Sequence, residues 1–184
     1  MKQTKRLWAL ALALVLAVGT LAGCGSSDEE PAVSNRNEAA VGGSIAWPAE
    51  GLDTAATFAT HSEGDVLYAV FNGVQTRTTG YFTPAGDTIT LVSSATTTSE
   101  TRTSYRVTLW KESYAGREYV DGGTMYFTAD GQCRTGTFTG LEAGARYKVG
   151  IAYDGGSHYL SGGLTIGSLA QADELTDEDA SAAA

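Results

Sequence analysis

Proline is scarce in this chain, with three in 184 residues, and histidine and cysteine number only two each. His61 and His158 stand at no metal-ligand spacing and beside no nucleophile motif, so they define neither a metal centre nor a catalytic pair. Ser157 precedes His158, but a nucleophile and its base must meet in space, with a third group to orient the base. No G-x-S-x-G, H-E-x-x-H, G-x-x-x-x-G-K-S/T or G-x-G-x-x-G occurs, and the acids are scattered singly rather than paired as glycoside hydrolysis requires. The expectation is a protein without catalytic residues, metal or cofactor. Positive charge is also short: twelve Lys and Arg stand against twenty-one Asp and Glu, a formal charge of -9. That balance argues against nucleic acid as a partner and against electrostatic adhesion to anionic lipid. The one long apolar run, residues 7–21, falls short of the ~20 residues a membrane-spanning helix needs.

What is present begins with an export signal. Lys2, Lys5 and Arg6 form a positive end ahead of the apolar run, and small residues close it. Leu21-Ala22-Gly23-Cys24 resembles the lipobox of bacterial lipoproteins, in which a diacylglyceryl group joins the cysteine sulfur and the signal is cut ahead of it. The resemblance implies lipidation at Cys24 and an extracytoplasmic protein held to a bacterial membrane. Two or three acyl chains, at ~0.8 kcal/mol per buried CH2, exceed what stable attachment needs. Loss of residues 1–23 leaves nine basic against twenty-one acidic side chains, a formal charge of -12. Residues 24–42, the lipidated cysteine and the stretch after it, are polar, acidic and without periodicity, which predicts a flexible linker. Residues 170–184 read as a disordered acidic tail.

Residues 43–169 remain for one domain that buries roughly two-thirds of its unfolded surface. They are rich in Gly, Thr, Tyr and Val, with no helical apolar stripe, which predicts an all-β, antiparallel β-sandwich of roughly seven to nine strands. Candidate strands are residues 44–47, 56–60, 66–71, 80–83, 88–93, 105–111, 118–120, 124–128, 135–139, 146–153 and 159–166. Asn72-Gly73, Asp121-Gly122, Asp130-Gly131 and Asp154-Gly155 each read as a two-residue turn. Their surroundings lack the run of oxygen ligands of a calcium loop.

The segment of residues 135–153 organises the fold. A strand ends at Gly140, Leu141 and Ala143 supply apolar contacts, and Gly144 permits the turn into a second strand. There Tyr147, Val149, Ile151 and Tyr153 share one face, and Lys148, Gly150 and Ala152 the other. Leu141 with Tyr147 six residues later resembles the tyrosine corner of immunoglobulin-like and fibronectin type III sandwiches, and residues 105–110 look like the third strand of the latter. The resemblance implies a sandwich whose Tyr147 hydroxyl bonds back to the corner backbone, and it implies no function. Residues 79–91 echo this pattern, with a T-G-x-F-T start and an Ala-Gly turn, as a second corner between sheets.

With Cys24 lipidated, Cys133 is the one remaining thiol and an internal disulfide is excluded. Alternation places Cys133 with Thr135 and Thr137 toward the outer face, as a partly buried small residue or a site of bridging or oxidation. The same counting sends Arg106, Thr108 and Trp110 outward, opposite Tyr105, Val107 and Leu109, and sends Tyr126 outward too. Tyr114, Tyr119 and Tyr159 fall near strand ends. Outward rings suit stacking on sugars or protein surfaces, or they pack under the segment of residues 43–71. The sequence therefore predicts a surface lipoprotein with a non-enzymatic adhesion, interaction or structural module. The alternative is a carbohydrate-binding module with Trp110, Tyr119 and Tyr126 as its stacking residues, its partner a surface protein or polysaccharide.

Overall fold

The computed structural model describes residues 36–175, and among them are twelve strands and no helix. In chain order they are β1 (Ala40–Val41), β2 (Phe58–Glu63), β3 (Val66–Val74), β4 (Thr76–Thr78), β5 (Phe82–Pro84), β6 (Thr88–Thr97), β7 (Ser104–Ser113), β8 (Gly116–Thr128), β9 (Arg134–Thr139), β10 (Tyr147–Ala152), β11 (Leu160–Gly167) and β12 (Leu169–Ala172). They form two antiparallel six-stranded sheets. The first has the order β1-β9-β6-β11-β3-β2; the second is β12-β5-β10-β7-β8, with β4 also paired to β10. The expected signal, Cys24 and residues 25–35 of the linker lie outside the described residues, as do residues 176–184 of the tail.

The period-2 pattern builds the core, because alternate residues of a strand face opposite sides of its sheet. Ile89, Leu91, Leu164 and Ile166 of the first sheet meet Val107, Leu109, Val149 and Ile151 of the second, all fully buried. Met125 of β8 reaches across to Gly136 of β9, and its thioether occupies the space a Cβ would take there. Polar groups inside are paired. Ser93 and Tyr105 share a hydroxyl hydrogen bond of 2.7 Å, and burial pushes the Tyr105 phenol well above its ordinary pKa. Arg134 forms a two-pronged pair with Asp130, at 2.5 and 2.8 Å, and donates to the Thr128 carbonyl. Those charge-assisted bonds hold the Asp130 carboxyl down at about 2.

The corner forms as expected. The Tyr147 hydroxyl accepts the Glu142 N–H at 2.9 Å, with Tyr147 and Leu141 both buried. The echoed corner sits beside it, since the Leu141 N–H donates to the Asp87 carbonyl at 2.9 Å. One corner carries the chain from β5 in the second sheet to β6 in the first, and the other returns it from β9 to β10.

Four expectations are corrected. Residues 44–47 form no strand. The chain there is a strap across the outer face of the first sheet: Gly43 lies against Val92 and Thr135, Trp47 against Gly163 and Tyr68, and Gly51 against His61. Those contacts step through β9, β6, β11, β3 and β2, the order of the sheet. The domain also begins before residue 43. Asn37 and Ala39 exchange backbone hydrogen bonds with Tyr126, and β1 pairs β9, so residues 37–42 belong to the fold rather than to a linker. Likewise residues 170–175 are not disordered: β12 pairs β5, and the Leu175 carbonyl accepts the Thr60 N–H at 3.0 Å. Finally, Asn72-Gly73 and Asp121-Gly122 are irregularities inside β3 and β8, so residues 118–120 and 124–128 belong to one strand. Gly73 and Gly122 have φ of 65° and 69°, left-handed values that suit a bulge as well as a turn. Asp130-Gly131 and Asp154-Gly155 do lie in connections between strands.

Candidate functional site

The register of the second sheet arranges its outward residues in rows. Trp110 of β7 lies between Lys148 of β10 and Tyr119 of β8; Thr108 lies between Gly150 and Thr124; Arg106 lies between Ala152 and Tyr126. The three rings singled out from the sequence are thus on one face. Trp110 and Tyr119 meet edge to face with centroids 5.8 Å apart, and the Tyr119 hydroxyl lies 3.4 Å from the Thr124 hydroxyl. The indole leans over β10, where a Cβ on Gly150 would stand 3.2 Å from Nε1.

Neither Trp110 nor Tyr126 is a bare platform. The Arg117 guanidinium sits 4.8 Å from the Trp110 ring centroid, and that of Arg36 sits 3.9 Å from the Tyr126 centroid. Lys148 and Arg146 approach Tyr81 in the same way, at 4.7 and 5.0 Å. The covering over Tyr126 comes from Arg36, ahead of the segment of residues 43–71 expected to supply it, while that segment's own tryptophan covers the other sheet. Of the nine basic residues from 36 to 175, five therefore crowd one face: Arg36, Arg106, Arg117, Arg146 and Lys148. Arg146 is paired to Glu112 and Asp173, and Arg106 to Asp154. Among the described residues Arg36, Arg117 and Lys148 make ring contacts and no ion pair.

At the Arg106 end of the face is a cleft of about 400 Å³ lined by Arg36, Thr101, Arg102, Arg106, Tyr126 and Asp154, among others. The connection from β6 to β7 that supplies Arg102 is pinned. Its carbonyl accepts the Tyr153 hydroxyl at 2.8 Å, that hydroxyl is also 2.7 Å from the Thr97 hydroxyl, and the Arg102 N–H donates to Ser99 Oγ. The Arg102 side chain donates to the Asp154 carbonyl at 3.1 Å.

The other residues noted in the sequence lie apart. Tyr114 is fully exposed at the two-residue tip between β7 and β8, and Tyr159 is half exposed ahead of β11. Cys133 is partly buried beside the strap, its carbonyl accepting the Gly42 N–H. His61 faces Glu174 at 3.3 Å, and His158 Nδ1 lies 2.9 Å from the Thr98 hydroxyl. Among the described residues no group of three or more His, Cys, Asp or Glu is placed to hold a metal ion. The cationic half of the face was missed because it depends on register. Lys148 comes after Tyr147 and Arg106 after Tyr105, so alternation puts both outward, but only the pairing of β10 with β7 puts them on one surface. The chain matches no family model, no curated protein and no solved structure, so the reading of this face rests on its own geometry.

Proposed function

We propose that the chain is a non-enzymatic lipoprotein of the bacterial cell surface, anchored through Cys24, whose sandwich is an interaction module working through the outer face of its second sheet. The observation that carries this reading is the difference between the two outer faces. The strap of residues 42–51 covers the first sheet, whereas the second displays Tyr81, Trp110, Tyr119 and Tyr126 with their cations. Rings backed by guanidinium groups join apolar area to hydrogen-bond donors, the mixture found at recognition surfaces.

The likeness to immunoglobulin-like sandwiches is supported by the Tyr147 corner bond and by the pairing of β6 with β9 and of β7 with β10. The likeness has a limit, since β11 joins β6 and β3, whereas in that family the strand after the corner strand stays beside it.

A second reading within the same surface is carbohydrate binding, favoured by the clustering of Trp110, Tyr119 and Tyr126 in one plane of strands. Both parts have a direct test. Radiolabelled palmitate is expected on the chain in cells and absent from Cys24→Ala; label on the variant would overturn the anchor. With Trp8 and Trp47 changed to Phe, Trp110 is the one fluorophore of its kind, and polysaccharides or cell-wall fragments that bind the face should change its emission saturably. Saturable binding with no change in Trp110 emission and no loss in Trp110→Ala would remove this face from the function.

A further inference from the structure

We infer that the cleft at the Arg106 end of this face receives the acidic group, a carboxylate or phosphodiester, of an anionic polysaccharide. The inference rests on the reading of the second sheet as the working face and names what that face takes.

The chain as a whole is acidic, with a formal charge of -9, yet among the described residues three arginines and a single carboxylate side chain line one cleft of about 400 Å³. Asp154 uses its side chain on Arg106 and its main-chain carbonyl on Arg102. The Arg36 guanidinium sits over the Tyr126 ring, 3.9 Å from its centroid, and the Arg102 guanidinium donates to one carbonyl, so both keep most of the five N–H donors of a guanidinium for an incoming anion. A planar fork of donors matches the two oxygens of a carboxylate or phosphate, and charge-assisted bonds of this kind are the strong ones. The cleft is also built before a ligand arrives. Thr97, Ser99 and Tyr153 fix the backbone at Arg102, and the ladder between residues 37–39 and Tyr126 fixes the approach of Arg36. Pre-organised donors lose less entropy on binding.

A saccharide suits the remaining lining better than a peptide. Thr101, Thr103 and Ser104 line the same cleft as Tyr126, and each side-chain hydroxyl is both donor and acceptor, as sugar hydroxyls are. The volume suits one or two sugar units, within the ~300–1,000 Å³ of small-molecule sites. Beyond the cleft the row of Thr108 and Thr124 leads along the face to Trp110 and Tyr119, where a neighbouring sugar has a ring to lie on.

The test uses the full-length chain in detergent, titrated calorimetrically with polygalacturonate, a phosphodiester-bearing mannan, neutral dextran and polyglutamate. Expected is binding to one or both acidic polysaccharides and none to dextran. Arg36→Gln and Arg102→Gln should each weaken it about tenfold, the usual scale for one charge-assisted contact, while Lys111→Gln at the far end of β7 leaves it unchanged. Thermal unfolding of both variants should match the parent, as neither side chain is buried. The relative affinity of polygalacturonate and mannan names the acid. Polyglutamate binding as tightly as either would overturn the saccharide assignment. Binding kept by both arginine variants but lost in Trp110→Ala would sink the cleft and leave the working face standing, and binding untouched by all three would remove both.

Discussion

Among single residues, Asp130 has the sharpest consequence. Its carboxyl is held at about 2 by Arg134, against an unfolded value of ~3.9 for aspartate. A depressed carboxylate contributes stability that is fully present above the unfolded value and is lost as pH falls from about 4 through about 2. Asp130→Asn has no such titration and leaves the nearly buried Arg134 without its partner. It should be less stable than the parent by on the order of 1–2 kcal/mol at pH 7, a figure reduced for the partial exposure of Asp130. The gap should close as pH drops from 4 to 2, which urea unfolding at pH 7, 4 and 2.5 would measure; a constant gap would mean that Arg134 is held by something else. This pair was not legible in the sequence. Two residues four apart across a turn form an ion pair only if the turn closes on them. The bond from Tyr147 to the corner was legible, because donor and acceptor are five residues apart in one local motif.

At the scale of elements, alternation predicted the inward faces of β7 and β10 because a strand's side-chain period is independent of what it pairs with. It misread residues 44–47 for the same reason. Ser44-Ile45-Ala46-Trp47 alternates like a strand, but alternation says only that one side is apolar, and the edges of the first sheet are already taken by β1 and β2. The apolar side therefore lies across the sheet. Glycine pairs were misread similarly, since φ above zero is required by a hairpin turn and by a bulge alike. The strap has a distinct prediction. Trp47 lies over Gly163 and Tyr68 while remaining 41% exposed, so Trp47→Ala should cost ~1–2 kcal/mol, less than a fully buried tryptophan. The unfolding temperature should fall by roughly 4–8 °C. Proteolysis within residues 43–56 should quicken, and binding of acidic polysaccharide on the opposite sheet should not change. A variant that lost binding along with the strap would place the ligand on the wrong face in our proposal.

For the whole molecule, the early start of the fold at residue 37 shortens the linker that the proposed anchor would use. Under the anchoring proposed above, eleven residues lie between the lipidated Cys24 and Arg36, a stretch that spans at most about 40 Å. The ligand envisaged is thus one found close to the membrane surface. Net charge then sets how affinity depends on salt. A polyanion approaching from afar meets an acidic body, with a formal charge of -9 for the chain and -12 under the signal cleavage proposed above, whereas at contact it meets Arg36, Arg102 and Arg106. The two effects differ in range. At 0.01 M salt the screening length is about 30 Å, so the repulsion of the whole protein opposes binding. At 0.15 M it is about 8 Å, which removes most of that repulsion and spares contacts inside the cleft; at 1 M it is about 3 Å and those weaken as well. Affinity for acidic polysaccharide should therefore rise from 0.01 M to about 0.15 M and fall by 1 M, a maximum visible in titrations at three ionic strengths. A local cationic site on a neutral or basic protein gives a steady decline instead. A monotonic fall here would mean that the acidic surface is turned away from the polymer, with the attraction spread along the whole cationic face rather than gathered in the cleft.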